Sequence, residues 1–359
     1  MEPTDEGERS EVRHELGRLR AFAASLRLDE VRDGTWFSKL VAQSLETYAR
    51  TVDADHLRDK YRGMPPDAVV RARVQLAARH AGIEGALSAG AYTGAVAATL
   101  GSAAGASPVT VPAAAASFVA DLLFTSQLQL RLAHDVAVLY GVPLDLDDSE
   151  DLWKLIRVAF LIKGGELGAR VAAKGLPVVG KQLLQRSLVK FAVPVVGVPL
   201  STGVNYWSTR ASGQHAIRVF RTEGRIVEAA RRMATDTAHP TALLWVLWRV
   251  VLADALTHEN ERLLLRHVTA VVADLESELA ALGELQSTVE LDESRLVAML
   301  GAAQGDLTPL YDAAVVAAAV DGLVNVNELA VLRMLAAHCG ATYDEEAVRR
   351  LAKTYATRS

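Results

Sequence analysis

The chain has 359 residues, of which 50% are hydrophobic and 23% are charged, and its formal net charge is −5. This composition excludes an intrinsically disordered protein, and the length is sufficient for two domains that each bury a core. The single cysteine, Cys339, excludes an internal disulfide and a cysteine-ligated zinc site, and the charged N-terminus is unlike a secretory signal, so we expect a cytoplasmic protein.

The net charge is unevenly distributed along the chain. Residues 241–359 carry 9 Lys and Arg against 17 Asp and Glu, whereas residues 155–225 carry 11 basic residues against 2 acidic ones. A basic middle followed by an acidic end indicates that the two regions meet different partners, or each other. Nucleic acid is a poor fit as a partner, because the chain is acidic overall and the basic segment has few aromatic residues for stacking.

Apolar residues recur at intervals of three and four along most of the chain, which is the periodicity of an amphipathic helix. The runs 152–162 and 263–272 are examples. Alternating β-branched residues, the mark of strands, are rare. We therefore predict an all-α fold, in which a glycine- and alanine-rich helical bundle is followed by a smaller, duplicated helical domain.

The first part of the chain, residues 1–79, has the pattern of charged amphipathic helices. The sequence GMPPD interrupts this pattern. Pro65 and Pro66 predict the end of one helix, and Asp67 predicts the start of the next.

Residues 85–120 carry no charge and consist mainly of Gly, Ala, Ser and Thr. The weak hydropathy, together with Pro108 and Pro112, favours a close-packed soluble bundle over a membrane span. Small residues at helical intervals let two helix backbones approach closely. The candidates for such close packing are Gly90, Gly94, Gly101 and Gly105.

Basic residues follow at helical spacing, beside a side of Leu, Val and Ala. A basic face of this kind suits an anionic membrane surface, where each Lys or Arg contributes about 1 kcal/mol. The alternative is a solvated face, or one that contacts the acidic C-terminal part of the chain. The predicted membrane-facing residues are Lys163, Arg170, Lys174, Lys181 and Lys190.

Three features occur in order between residues 80 and 225: a Gly-rich apolar opening, a Pro-led helix ending in Tyr140-Gly141, and a Pro-x-x-Gly run followed by Asn205. This segment resembles the EcsC family of bacterial proteins. The resemblance implies a helical domain that works at or near membranes, and it implies no catalytic residue.

A short pattern occurs twice near the C-terminus, 67 residues apart. Aligning VVLADALTHENERLLL with AAAVDGLVNVNELAVL places Asp254 on Asp321 and Glu261 on Glu328. In each copy an apolar helix runs into Asp, turns, and restarts with Glu in the first turn of the next helix. The pattern predicts two helix pairs related by duplication.

The second copy contains a predicted capping box, with Asn325 as N-cap and Glu328 three positions later, and Gly322 gives the turn its backbone freedom. Capping does not explain Asp321, which closes a helix at the end where negative charge is unfavourable. The order Asp-Gly and then Glu is the second half of a calcium loop. The more specific hypothesis is therefore that these carboxylates bind a divalent cation, above all Ca²⁺. Helix capping with solvated charge is the simpler one. The candidate metal ligands from the two copies together are Asp254, Glu261, Asp321 and Glu328.

These paired positions, between about residues 240 and 356, resemble the TerB family, the tellurite-resistance-associated helical domain. The resemblance implies a stress-response module that binds a divalent cation or a partner. Ala255 stands where the signature has Gly, which puts the geometry of the first turn in doubt. The resemblance places a TerB-like acidic domain at 240–359, after a connector at 226–239.

No catalytic constellation emerges from the sequence. His134 and Asp135 are adjacent on a predicted helix and point apart, and no nucleophile stands beside a base. A buried Asp121 would need a basic partner, such as Arg131 or a residue of the segment 163–190, and would then be structural.

We therefore predict a non-enzymatic, stress- or defence-associated scaffold or sensor at the inner face of the membrane, whose partner is an anionic membrane surface or another protein. The first alternative is a soluble carrier that holds an apolar ligand between its small-residue helices. The second is a metal-dependent hydrolase that uses the four carboxylates.

Overall fold

The computed structural model describes residues 5–88, 113–162, 171, 174–192, 199–253, 258–274 and 293–356. Every regular element in these ranges is a helix, which confirms the predicted all-α fold. None of the described helices is both long and apolar enough to cross a membrane.

The chain divides into two compact units, Met1–Ile217 and Arg218–Ser359. A π-helical turn, Val41–Leu45, joins α3 to α4, and the helix α10, Pro199–Asp236, contains the point of division. The other described helices of the first unit are α1 Asp5–Ser25, α2 Leu28–Asp33, α3 Thr35–Leu40, α4 Glu46–Thr51, α5 Ala54–Lys60, α6 Pro66–Ser88, α7 Ala113–Leu139, α8 Ser149–Ala159 and α9 Pro177–Ala192.

In the second unit, α10 is followed by six described helices. They are α11 Pro240–Val251, α12 Glu259–Asp274, α13 Glu293–Ala302, α14 Thr308–Ala319, α15 Val326–Cys339 and α16 Glu345–Ala356.

These boundaries differ from the predicted ones in two places. The charged helices of residues 1–79 belong to the same unit as the apolar segment, because α1 and α6 pack directly on α7. Most of the predicted connector 226–239 is helical, since α10 continues to Asp236. Its apolar residues have helical spacing and are buried in the core of the second unit, as Ile226, Ala230 and Met233 illustrate.

The central helix of the first unit is α7, whose apolar residues are buried along most of the described length. The helices α1, α6 and α8 pack around it. At one side of this core the Phe37 ring meets the Phe160 ring edge-on, with 5.6 Å between centroids.

Glycine permits a close contact between α9 and the start of α3. A Cβ on Gly180 would collide with the carbonyl oxygen of Gly34 and would lie 2.8 Å from the Cβ of Phe37. Gly34 has a φ of 83°, a left-handed conformation that glycine adopts without strain. The sequence around Gly180 is therefore a helix-packing site.

The second unit contains the predicted repeat of helix, turn and helix. Its first helices, α11 and α14, have 12 residues each and pack against each other. The helices that follow them begin at Glu259 and Val326, 67 positions apart like the sequence repeat. A consecutive run in α11 is buried on every side, from Ala242 to Leu247.

Candidate functional site

The two repeated glutamates cap the helices in which they lie. The backbone N–H of His258 donates to Glu261 Oε2 at 2.7 Å, and the backbone N–H of Asn325 donates to Glu328 Oε2 at 2.8 Å. The side-chain oxygen of Asn325 accepts from the Glu328 N–H at 2.9 Å, which completes the predicted capping box. Both glutamates are buried, so the simpler of the two hypotheses accounts for their geometry.

Asp321 is stabilised by its own turn and by the other copy of the repeat. Its Oδ1 accepts from the Leu323 N–H at 2.8 Å, and its Oδ2 lies 3.4 Å from Nε2 of His258. A second link joins the copies, because the side-chain amide of Asn260 donates to the Val320 carbonyl at 2.9 Å. The start of α12 therefore contacts the turn after α14, and His258 approaches the carboxylate that capping alone leaves unexplained.

Gly322 has the backbone conformation predicted for it. Its φ is 87°, and a Cβ there would lie 2.8 Å from the Cβ of Ala356. Glycine is thus required twice at this turn, for the left-handed backbone and for the approach of α16.

A cation site needs several oxygens directed at one point, and the described part of the repeat does not assemble one. The ranges that the structure describes contain no group of three or more His, Cys, Asp or Glu side chains placed to hold a metal ion. Glu261, Asp321 and Glu328 each give an oxygen to a backbone N–H, and Asp254 lies outside the described residues. The Ca²⁺ site remains a prediction.

Large apolar side chains are exposed beside the repeated turns. Leu323 and Val326 are 66% and 77% exposed, and Leu252, at the end of α11, is 41% exposed. Exposed apolar residues at a turn are a surface that a protein partner can bind.

The structure describes both the backbone and the side chain of two predicted membrane-facing residues. Lys174 and Lys181 are exposed, and neither forms an ion pair with a described residue. Lys174 directly precedes Gly175, whose left-handed backbone, with a φ of 73°, lies just before the start of α9. Lys181 lies within α9. Two others fall outside the described residues, Lys163 and Arg170, as does the side chain of Lys190.

An aromatic and basic group lies near the start of α10, on the first unit. Trp207 is 64% exposed, the guanidinium of Arg210 lies 5.6 Å from its ring centroid, and Tyr206 packs edge-on against the same ring. The glycines predicted for close helix packing all lie outside the described residues, namely Gly90, Gly94, Gly101 and Gly105.

Asp121 is buried, and Arg131, one of the partners predicted for it, does not contact it; most of that part of the alternative segment 163–190 which precedes α9 lies outside the described residues. Asp121 accepts from the side-chain amide of Asn205 at 3.1 Å, and the same amide nitrogen donates to the buried Glu84 at 3.1 Å. Arg131 lies ten residues further along the same helix, about 15 Å away along its axis, and instead contacts Glu15.

Sequence reasoning missed a half-open cavity of about 240 Å³ in the first unit, lined by residues of α1, α4, α6 and α7. Its walls combine apolar side chains with ionisable ones. The lining residues are Glu11, Val12, Glu15, Tyr48, Arg73, Leu76, Ala77, His80, Phe124, Gln127, Leu128, Arg131, Leu132 and Asp135.

One wall of this cavity is a hydrogen-bonded triad. The Tyr48 hydroxyl donates to Asp135 Oδ1 at 2.8 Å, and Arg73 donates to Asp135 Oδ2 through Nε at 2.9 Å and to the Tyr48 oxygen at 3.0 Å. Burial is the largest single influence on Arg73 and opposes its charge, but the attraction and hydrogen bonding of Asp135, together with Tyr48 and Tyr61, outweigh it and raise the pKa of Arg73. Burial, assisted by Asp135, raises the pKa of Tyr48, so the hydroxyl keeps its proton and remains a donor.

Arg131 and Glu15 lie next to this triad in the lining of the cavity. Glu15 Oε1 accepts from the Gln127 amide at 2.7 Å and from Arg131 at 3.3 Å, and Arg131 also donates to Ser44 Oγ at 3.2 Å. The guanidinium of Arg131 lies 4.9 Å from the ring centroid of Tyr48. Burial is the main reason that the pKa of Arg131 is lowered.

Two further side chains agree with a structural role. The ring of His134 meets the Tyr48 ring edge-on at 5.9 Å between centroids, and burial lowers the pKa of His134. Cys339 is buried, and burial raises the pKa of its thiol, as expected for a cysteine that packs rather than reacts.

No family model, no curated protein and no solved structure matches this chain. The resemblances to the EcsC and TerB families therefore stay predictions.

Proposed function

We propose that this chain is a non-enzymatic scaffold or sensor of the stress- or defence-associated kind that the two resemblances imply. Its first unit docks on an anionic membrane surface, and the repeated turns of its second unit bind a partner or a divalent cation. The observation that carries the proposal is the exposure of Lys174 and Lys181 on the first unit; Trp207 and Arg210, which are exposed in the separate helix α10, add to it.

The physical support for membrane docking has two parts. Lys174 and Lys181 form no ion pair with a described residue, so their charge is available to anionic lipid, at about 1 kcal/mol for each residue near the surface. Trp207 places an amphipathic ring in solvent beside the cation Arg210, and such rings favour the interface between headgroups and acyl chains.

The test is cosedimentation of the full chain with vesicles of phosphatidylserine and phosphatidylcholine. We expect binding that weakens as salt is added and is lost in Lys174→Glu/Lys181→Glu, because the variant replaces attraction by repulsion. The matched control is Arg50→Glu/Lys60→Glu, which changes the net charge equally at exposed positions of α4 and α5. Docking on this surface is rejected if the control loses binding to the same extent, or if the wild type ignores anionic vesicles.

The second unit is tested separately by thermal melting and calorimetry in Ca²⁺. A cation that binds only the native state adds about 2.7 kcal/mol to the free energy of unfolding at one hundred times its Kd. Asp321→Asn keeps an acceptor for the Leu323 N–H but removes the charge, so we expect it to lose this stabilisation. If Ca²⁺, Mg²⁺ and Zn²⁺ all leave the melting temperature unchanged, the carboxylates serve as caps and the module binds a partner.

Partner binding by the second unit depends on the exposed apolar residues. The variant Leu323→Ser/Val326→Ser leaves the capping box in place and removes the apolar surface beside it. We expect this variant to lose a protein partner that the wild type retains in chemical crosslinking from the source cell, while keeping the wild-type melting temperature.

Fewer observations support the two alternative functions, an apolar-ligand carrier and a metal-dependent hydrolase. A carrier for an apolar ligand was predicted to use the small-residue segment 85–120, most of which lies outside the described residues. A hydrolase would need free carboxylate oxygens around a metal, whereas Glu261, Asp321 and Glu328 each accept from a backbone N–H.

A further inference from the structure

We infer that the cavity between α1, α4, α6 and α7 binds a small zwitterion with an apolar body, of the size and chemistry of an amino acid. The inference rests on four properties of the described cavity: its volume, its spare hydrogen-bonding atoms, its pair of opposite charges and its apolar walls. It goes beyond the proposed function and does not depend on membrane docking.

The volume sets the size of the ligand. An apolar protein cavity of about 150 Å³ accommodates benzene. The cavity measures about 240 Å³, which leaves room for a ring or a branched aliphatic group together with a short polar group.

Gln127 and Arg131, which line the cavity, each have a buried polar atom without a hydrogen-bond partner among the described residues. They are the acceptor Oε1 of Gln127 and the donor Nε of Arg131, and Gln127 as a whole is only 5% exposed. Buried polar groups are nearly always paired, so unpaired ones on a cavity wall indicate a missing polar partner. A ligand that supplies both a donor and an acceptor would pair these two atoms.

The charges beside these two atoms specify the ligand further. Glu15 and Arg131 lie side by side, 3.3 Å apart, and Glu15 is also paired with Arg18, so a ligand ammonium would join or replace these cations at Glu15. An ammonium group placed at Glu15 and Gln127 Oε1, with a carboxylate placed at Arg131 Nε, would pair every one of these groups. Burial lowers the pKa of Arg131, and an incoming carboxylate would offset that cost of desolvation.

The neighbouring triad holds its charges in place without a ligand. Arg73, Asp135 and Tyr48 are bonded to one another, so this triad braces the cavity. A lone anion is disfavoured, since Glu11, Glu15 and Asp135 also line the space. The apolar walls then take the body of the ligand, and they include Val12, Leu76, Phe124, Leu128 and Leu132.

The experiment is a thermal melt of the full chain with each of the twenty amino acids, followed by calorimetric titration of those that raise the melting temperature. The comparison molecules are 2-phenylethylamine, 3-phenylpropanoate, toluene and inorganic phosphate. We expect at least one amino acid with an apolar side chain to bind about tenfold more tightly than any of the four, because each of these lacks a charge or the apolar body.

Variants locate the site. Gln127→Leu removes the spare acceptor, and Leu128→Trp fills the cavity, so each is expected to weaken amino-acid binding about tenfold or more. The matched control is Gln129→Leu, which changes a buried glutamine of the same helix that does not line the cavity and should bind as the wild type does. Circular dichroism establishes that each variant is folded, and Arg131→Lys serves as a further probe if Gln127→Leu is not.

Three results would overturn the inference. The first is that none of the twenty amino acids changes the melting temperature. The second is that toluene or phosphate binds as tightly as the best amino acid, which makes the site apolar or anionic. The third is that Gln127→Leu and Leu128→Trp are folded and bind like the wild type, which puts the ligand elsewhere.

Discussion

Asp135 is fully buried in α7, and its two carboxylate oxygens are divided between Tyr48 and Arg73. A carboxylate removed from water is costly unless a cation and hydrogen-bond donors replace the solvent. Here the donors come from α4 and α6, so one side chain of α7 fixes the positions of two neighbouring helices.

At the residue scale we predict that Arg73→Met lowers the free energy of unfolding by about 3 kcal/mol, since it leaves Asp135 buried without its cation. Urea denaturation of the full chain measures the loss. The control is Arg58→Met, which breaks the exposed ion pair with Asp55 and should have no measurable effect.

Adding Asp135→Leu to Arg73→Met removes the uncompensated charge as well. The double variant should then recover part of the stability that the single variant loses. A loss in Arg73→Met no larger than that in Arg58→Met would contradict the role given to this pair.

His134 supplies a prediction on pH. Burial lowers the pKa of His134 from an ordinary value of 6.5, so the unfolded chain binds the proton before the native state does. The contribution of the neutral His134 to the free energy of unfolding is therefore fully present above about pH 6.5, and it is lost as the pH falls toward the lowered native pKa. His134→Phe keeps a ring against Tyr48 and removes the titration.

We expect the free energy of unfolding of His134→Phe, relative to the wild type, to increase between pH 7.5 and pH 5.5. The gain is bounded by about 1.4 kcal/mol for each unit of pH below 6.5. Denaturation at the two pH values measures it, and an equal difference at both would show that His134 does not contribute to acid destabilisation.

At the scale of elements, glycines determine which helices can approach closely. Gly180 lies in α9 where a Cβ would collide with Gly34, whereas a Cβ on Gly17, in the middle of α1, would meet no neighbouring atom within 4 Å. The two positions are both helical and differ in the space beside them.

The prediction follows from this contrast. Gly180→Ala should destabilise the first unit by about 1 to 3 kcal/mol, because α9 and α3 must separate. Gly17→Ala should stabilise it by about 0.5 to 1 kcal/mol through helix propensity alone. Thermal melting distinguishes the two, and a stabilising Gly180→Ala would mean that the contact with Gly34 is not maintained in solution.

The repeated turns show which contacts can be predicted from neighbouring residues in the sequence and which cannot. The capping box of Asn325 and Glu328 involves residues three positions apart, and it was predicted correctly from sequence. The approach of His258 to Asp321 joins positions 63 residues apart, and no local rule specifies it. Alignment of the two copies indicated that they would meet, but not which side chains would touch.

At the scale of the whole molecule, each unit has a core of its own. Leu123 is fully buried in the first unit, and Leu310 is fully buried in the second. Leu→Ala at either position creates a cavity that costs about 2 to 5 kcal/mol. We expect calorimetry to resolve two unfolding transitions, with Leu123→Ala lowering one and Leu310→Ala lowering the other. A single transition shifted equally by both variants would mean that the units unfold together.

The sequence by itself determined the properties that depend on neighbours along the chain. Helical periodicity predicted the all-α class, Pro65 and Pro66 predicted the break before α6, and the repeat predicted the paired helices of the second unit. These signals are readable because helix formation, capping and turn conformation depend on residues within a few positions of one another.

Only the tertiary structure decided the cavity, the partner of Asp121 and the extent of the first unit. The triad of Tyr48, Arg73 and Asp135 joins positions 62 and 87 residues apart, and Arg131 meets a glutamate 116 residues away. Each of these side chains resembles an ordinary helix residue in the sequence. Their roles arise when packing removes water from around them, and each buried charge must then be compensated by whichever group the fold places beside it.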